Sequence, residues 1–157
     1  MKMYDNYLRR LYRGGRPSQS ARVQNRVSAA LFGAGIWPTR RAALEVRGRR
    51  SGNVITFPVV IADHEGGRYL VSMLGERVNW VRNVRADAGR AVLRHGRREE
   101  VVLEEVPVEE RAPILRRYVQ VAPGGRPHIR VNRADPIEEF ERVAPDIPVF
   151  RISPRAF

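Results

Sequence analysis

A chain of 157 residues, 43% of them hydrophobic and with no run of about 18 apolar positions, suits one domain with its own core and no membrane-spanning helix. The absence of cysteine excludes disulfides, thiolate metal sites and a thiol nucleophile, and fits a reducing cytoplasm, as does the lack of an apolar signal region in the first residues. The net charge of +12 is uneven: residues 1–50 carry +10, residues 51–98 carry +4 and residues 99–157 carry −2.

Residues 1–16, basic and punctuated by Gly14-Gly15, read as a flexible basic arm ahead of a single domain over 17–157. Pro17-Ser18 opens a helical pattern with Val23, Val27, Ala30, Leu31 and Ala34 at three- and four-residue steps, ended by Gly33, Gly35 and Pro38. From residue 42 the period becomes two, and Leu44 and Val46 alternate with charged neighbours as in a half-buried strand. Gly48-Arg49-Arg50-Ser51-Gly52 follows. Two glycines around two guanidinium groups and a hydroxyl form either a solvated basic turn or a cradle for an anion such as phosphate.

Residues 54–62 make an apolar, β-branched strand in which Pro58 points to an edge or a bulge. Glu65-Gly66-Gly67 is a turn into a returning strand over 68–73. A short helix fits Val78–Arg85, and the Ala86-Asp87-Ala88-Gly89 turn closes it. Strands near 90–95 and 98–106 flank the His95-Gly96-Arg97 turn as a second hairpin. Ile114, Leu115, Tyr118 and Val119 mark a helix stopped by Pro123-Gly124-Gly125, and Asp135-Pro136 starts another carrying Ile137, Phe140 and Val143. A last strand spans 147–152. Six strands joined mostly as hairpins, with about four helices, predict an α+β fold: a small antiparallel barrel with packed helices.

Candidate chemistry is sparse. His64, His95 and His128 are about thirty residues apart, lack metal-ligand spacing and read as surface or loop histidines, so no metal site is expected. Lys2 is the sole lysine among the 29 basic side chains. The arginine fork grips phosphate and carboxylate at two points, so a polyanionic ligand or surface is expected. No helix-turn-helix, zinc-ligand or aromatic-studded strand motif accompanies the charge, which argues against nucleic acid. The amphipathic stretch at 17–34 reads as packing on the domain, with a homodimer or peripheral membrane contact through the basic N-terminal region as second readings. Trp80 reads as either a core anchor or a pocket wall, and Asn83 as either a pocket residue or a helix cap.

Gly48-Arg49-Arg50-Ser51-Gly52, the Pro58 strand, the hairpin ending in Ser72, then Trp80 and Asn83, in that order, resemble the deazaflavin-dependent nitroreductase family over roughly residues 17–152. The resemblance implies a split β-barrel and the deazaflavin coenzyme F-420, with FMN as the alternative cofactor. It places Arg49, Arg50 and Ser51 at the phosphate and acidic tail of the cofactor, and Thr56, Phe57 and Pro58 along its ring system. Ser72 and Met73 would face the ring, and Asn79, Trp80 and Asn83 would complete the pocket. The implied activity is hydride transfer to a small planar electrophile such as a quinone, nitro compound or activated alkene, with the proton from Tyr118, His128 or solvent. The sequence departs from the family pattern at Ile55, at Met73, at Trp80-Val81 and in a shorter Ser72–Trp80 spacing. A non-catalytic flavin carrier and a basic nucleic-acid or membrane-surface module are the readings from other classes.

Overall fold

The computed structural model describes residues 40–122 and 131–156, so the arm, the helical pattern at 17–34, the Pro123 stop and His128 lie outside the described residues. Seven strands form one sheet: β1 (Arg41–Arg47), β2 (Val54–Val60), β3 (Ala62–His64), β4 (Gly67–Val71), β5 (Arg90–Arg94), β6 (Arg98–Glu105) and β7 (Val149–Pro154). The helices are α1 (Asn79–Ala86), α2 (Arg111–Val121) and α3 (Ile137–Val143), with short 3-10 turns at Val108–Glu110 and Ala144–Asp146.

Every pairing is antiparallel, and the strand order is β2-β1-β5-β6-β7-β4-β3. The two edge strands of that order, β2 and β3, are separated in the chain by Ile61 alone. A flat sheet cannot bring its opposite edges within one residue, so the sheet curls into a half-barrel whose edges meet at Ile61. The expected α+β antiparallel barrel is present. It has seven strands rather than six because the 54–62 run divides at Ile61. There the N–H bonds to the Arg40 carbonyl at 2.6 Å, and the chain then pairs with β4 instead of β1.

Alternation along the strands divides the apolar residues between two cores. Leu44 and Val46 of β1, Leu93 of β5, Val101 and Leu103 of β6, Leu70 of β4 and Phe150 of β7 fill the barrel, and Val81 and Val84 of α1 close it. Val71 and Val149, the neighbours on the opposite faces of β4 and β7, join Leu115, Val119 and Phe140 of α2 and α3 in a second core outside the sheet. Each fully buried aliphatic or aromatic side chain contributes about 1.5–3 kcal/mol.

Buried Arg111 ties the end of β6 to the approach of β7. Its Nε donates to the Val106 carbonyl at 2.8 Å, and its Nη1 to the carbonyls of Ala144 and Ile147 at 3.1 and 3.2 Å. At the end of α1 the chain turns through Gly89, whose φ is +79° and where a Cβ would lie 2.5 Å from the Leu103 carbonyl oxygen. Only glycine suits both conditions.

Candidate functional site

The β1–β2 hairpin carries the Gly48–Gly52 sequence at its tip. Gly48 N–H bonds to the Asn53 carbonyl at 2.8 Å, Gly52 N–H to the Gly48 carbonyl at 2.8 Å, and Asn53 N–H to Ser51 Oγ at 3.2 Å. Gly52 has φ +73°, the left-handed conformation that closes the loop. Ser51 Oγ accepts inside the turn and retains its own O–H as a donor. Arg50 is exposed and has no ion-pair partner among the described residues, whereas Arg49 is engaged. Its backbone N–H and Nη1 both donate to Asn83 Oδ1 of α1, at 3.2 and 2.8 Å.

Strand β2 is an edge among the described residues, one of the two positions, edge or bulge, that Pro58 predicts, and its hydrogen-bond phase follows from the register. The bonds Gly48 N–H to Asn53 O and Ile61 N–H to Arg40 O bracket the ladder, and the register pairs Leu44 with Phe57 and Ala43 with Pro58. Antiparallel bonds alternate, so Phe57 bonds to β1 while the backbone groups of Val54, Thr56 and Pro58 aim at the open edge. Proline there forfeits no ladder bond. Period two sends the Phe57 ring into the barrel and the Thr56 side chain to the exposed face.

Trp80 stands on the first turn of α1, partly exposed, against two rings. Its centroid is 5.8 Å from Phe57 at an interplanar angle of 38°, and 5.4 Å from Phe150 at 55°. The sequence blocks 48–58 and 72–83 are therefore joined at two points, Arg49 with Asn83 and Phe57 with Trp80. Asn79 is exposed one residue before Trp80. Trp80 packs on the barrel core and stays partly exposed. The Asn83 side chain caps no helix end; it holds the arginine loop.

Ser72 and Met73 have contacts of their own. The Ser72 hydroxyl is buried and donates to the Gly75 carbonyl at 2.6 Å, shaping the turn that delivers α1. Met73 packs on the helix-side core. Tyr118 belongs to that same core, and burial pushes its phenol well above the ordinary range. Sequence reasoning did not single out Phe150; its only signal was the alternation of Phe150 and Ile152 on the last strand. It also treated His95 as unremarkable. His95 Nε2 lies 3.0 Å from Glu99 Oε2, and Arg68 grips both Glu99 oxygens at 3.0 and 2.6 Å. This trio lines the end of the barrel remote from Asn83, since Arg94 and Arg98 pair there and Arg90 and Val102 at the other end. No group of acids and histidines suited to a metal occurs among the described residues, and none of their helices is long and apolar enough to cross a membrane.

Residues 19–138 match the model of the F420H(2)-dependent quinone reductase family. No curated protein matches the sequence. Among solved structures, one described as a domain-swapped dimer is 16% identical, with 86% of this chain and 94% of that chain covered and a TM-score of 0.54. An F420-H2 dependent reductase, FDR-A, is 18% identical over 73% of this chain and 94% of its own, at a TM-score of 0.53. A heme binding protein from Mycobacterium smegmatis is 15% identical over 82% of this chain and 52% of its own, at a TM-score of 0.52. At these identities the likeness concerns the fold.

Proposed function

The chain belongs to the F420H(2)-dependent quinone reductase family, and on that premise we propose that it is a deazaflavin-dependent oxidoreductase acting on a small planar electrophile, a quinone in the first place. The observation that carries this reading is the junction of the two sequence blocks. An aromatic wall, Trp80 on Phe57, stands beside an open strand edge and an arginine-bearing loop.

The residues present fit coenzyme F-420. A flat heterocycle with an amide-rich rim matches the backbone donors and acceptors that Val54, Thr56 and Pro58 turn to the open edge of β2. The partly exposed indole of Trp80 offers that heterocycle a stacking surface, worth about 0.5–1.5 kcal/mol beyond area burial. Arg50 and the Ser51 hydroxyl, with Asn79 at the start of α1, suit a phosphate and carboxylate tail.

When bound in reduced form, the deazaflavin supplies the hydride. The chain's part is to bind, orient and exclude water while the substrate lies against the ring. A quinone taking up a hydride also needs one proton to become the hydroquinone. Tyr118 faces the helix-side core, which leaves His128 or solvent to supply that proton in this reading. Ser72 acts by shaping the turn into α1, and Met73 by packing beneath it.

Titration of coenzyme F-420 into the protein, followed by Trp80 fluorescence in a Trp37→Phe background, tests the cofactor. Oxidation of the reduced cofactor by a simple benzoquinone tests the reaction. Quenching with turnover is expected; a protein that neither quenches nor turns over would remove the proposal.

A further inference from the structure

Two donors converge on one buried acceptor. The Arg49 guanidinium and the Arg49 backbone N–H both reach Asn83 Oδ1, at 2.8 and 3.2 Å, and Asn83 is 3% exposed. Neither donor can accept, so the amide of Asn83 must present its oxygen to them. Asn83 sits three residues after Trp80, on the same stretch of α1. Arg50, the neighbour of Arg49, is exposed and makes no comparable contact among the described residues.

We propose that Arg49 and Asn83 are positioning residues, a latch that docks the 48–53 loop on α1 before any ligand arrives, and that Arg50 with Ser51 takes the anion. This rests on the reading of the site given above and divides the labour within it. A six-residue hairpin tip left free would have to be ordered at the moment of binding, and that ordering would be deducted from affinity. The latch orders it in advance. It also fixes the spacing between the arginine loop and Trp80, because both ends of the ligand are then referred to one helix.

Four variants test this: Asn83→Leu, Asn83→Asp, Arg49→Met and Arg50→Ala. Two readouts apply, hydrogen exchange of the 48–53 segment in the free protein and affinity for coenzyme F-420. Asn83→Leu and Arg49→Met should each speed exchange of the loop by roughly tenfold and weaken binding by a similar factor, the loss expected for one charge-assisted hydrogen bond. Their combination should add little to either. Asn83→Asp keeps the acceptor oxygen but loses the amide donor, so it should stay within about threefold of the parent. Arg50→Ala should weaken binding and leave exchange unchanged.

Loop exchange that is unaffected in Arg49→Met, or an Asn83→Asp variant as weak in binding as Asn83→Leu, would overturn the latch. Arg49→Met, an exposed loop substitution, decides the matter if Asn83→Leu fails to fold. The exchange measurement needs no cofactor. A protein that does not bind F-420 at all therefore fails the functional reading and still reports on the latch.

Discussion

Trp80 and Phe150 meet with ring centroids 5.4 Å apart and planes inclined by 55°. Phe150 is fully buried on β7, between β6 and β4 in the sheet, whereas Trp80 keeps part of its indole exposed on α1. The tilted arrangement is one that aromatic quadrupoles favour. Phe150 is thus the floor on which the proposed pocket wall stands.

Shortening that floor should be felt in two ways. Phe150→Ala should destabilise the fold by about 3–5 kcal/mol, as deletion of a buried aromatic does. Phe150→Leu, at roughly 1–2 kcal/mol, should stay folded and shift the Trp80 emission. Denaturant unfolding and fluorescence in the Trp37→Phe background check both. An unchanged emission in Phe150→Leu would mean the two rings are not coupled in solution.

Trp80→Ala separates the wall from the anchor. Partial exposure limits its cost in stability to about 2–3 kcal/mol, while F-420 affinity should fall by more than tenfold at a temperature where the variant is folded. A folded Trp80→Ala protein with parental affinity and turnover would take Trp80 out of the site.

Acid sensitivity should centre on Glu99. The hydrogen bonds from Arg68, and secondarily from His95, hold its carboxyl down at about 2, below the usual 4.5. A depressed folded value stabilises the protein above the unfolded pKa, and that contribution is lost as pH falls from about 4.5 toward 2. Melting temperature measured from pH 7 to pH 2 should show Glu99→Gln below the parent at neutral pH, with the gap closing in acid. A gap independent of pH would contradict this.

Arg111 should behave as a structural cation. Arg111→Met removes the shared donor of three carbonyls, those of Val106, Ala144 and Ile147, and should cost on the order of 2–4 kcal/mol. Cofactor affinity of the folded fraction should be unaltered. Chemical denaturation reads the first and titration the second; a loss below about 0.5 kcal/mol would show that the bonds are replaceable by water.

What the sequence determined by itself is local. The strands near 42–47, 90–95 and 98–106, the turns at Gly52, Gly66 and Gly89, the edge-or-bulge placement of Pro58 and the family all follow from signals contained within a few residues. Periodicity, turn conformation and the missing proline N–H act at that range. The tertiary structure decided which of those signals meet. Phe150 reaches Trp80 because β7 inserts between β6 and β4, and Arg68 reaches Glu99 across the same strand. Asn83 reaches Arg49 because α1 closes the barrel beside the β1–β2 tip. Met73, in the turn that follows β4, packs on the helix-side core. Strand order and sheet curl come from the summed burial of residues far apart in the chain, so no window of sequence contains them.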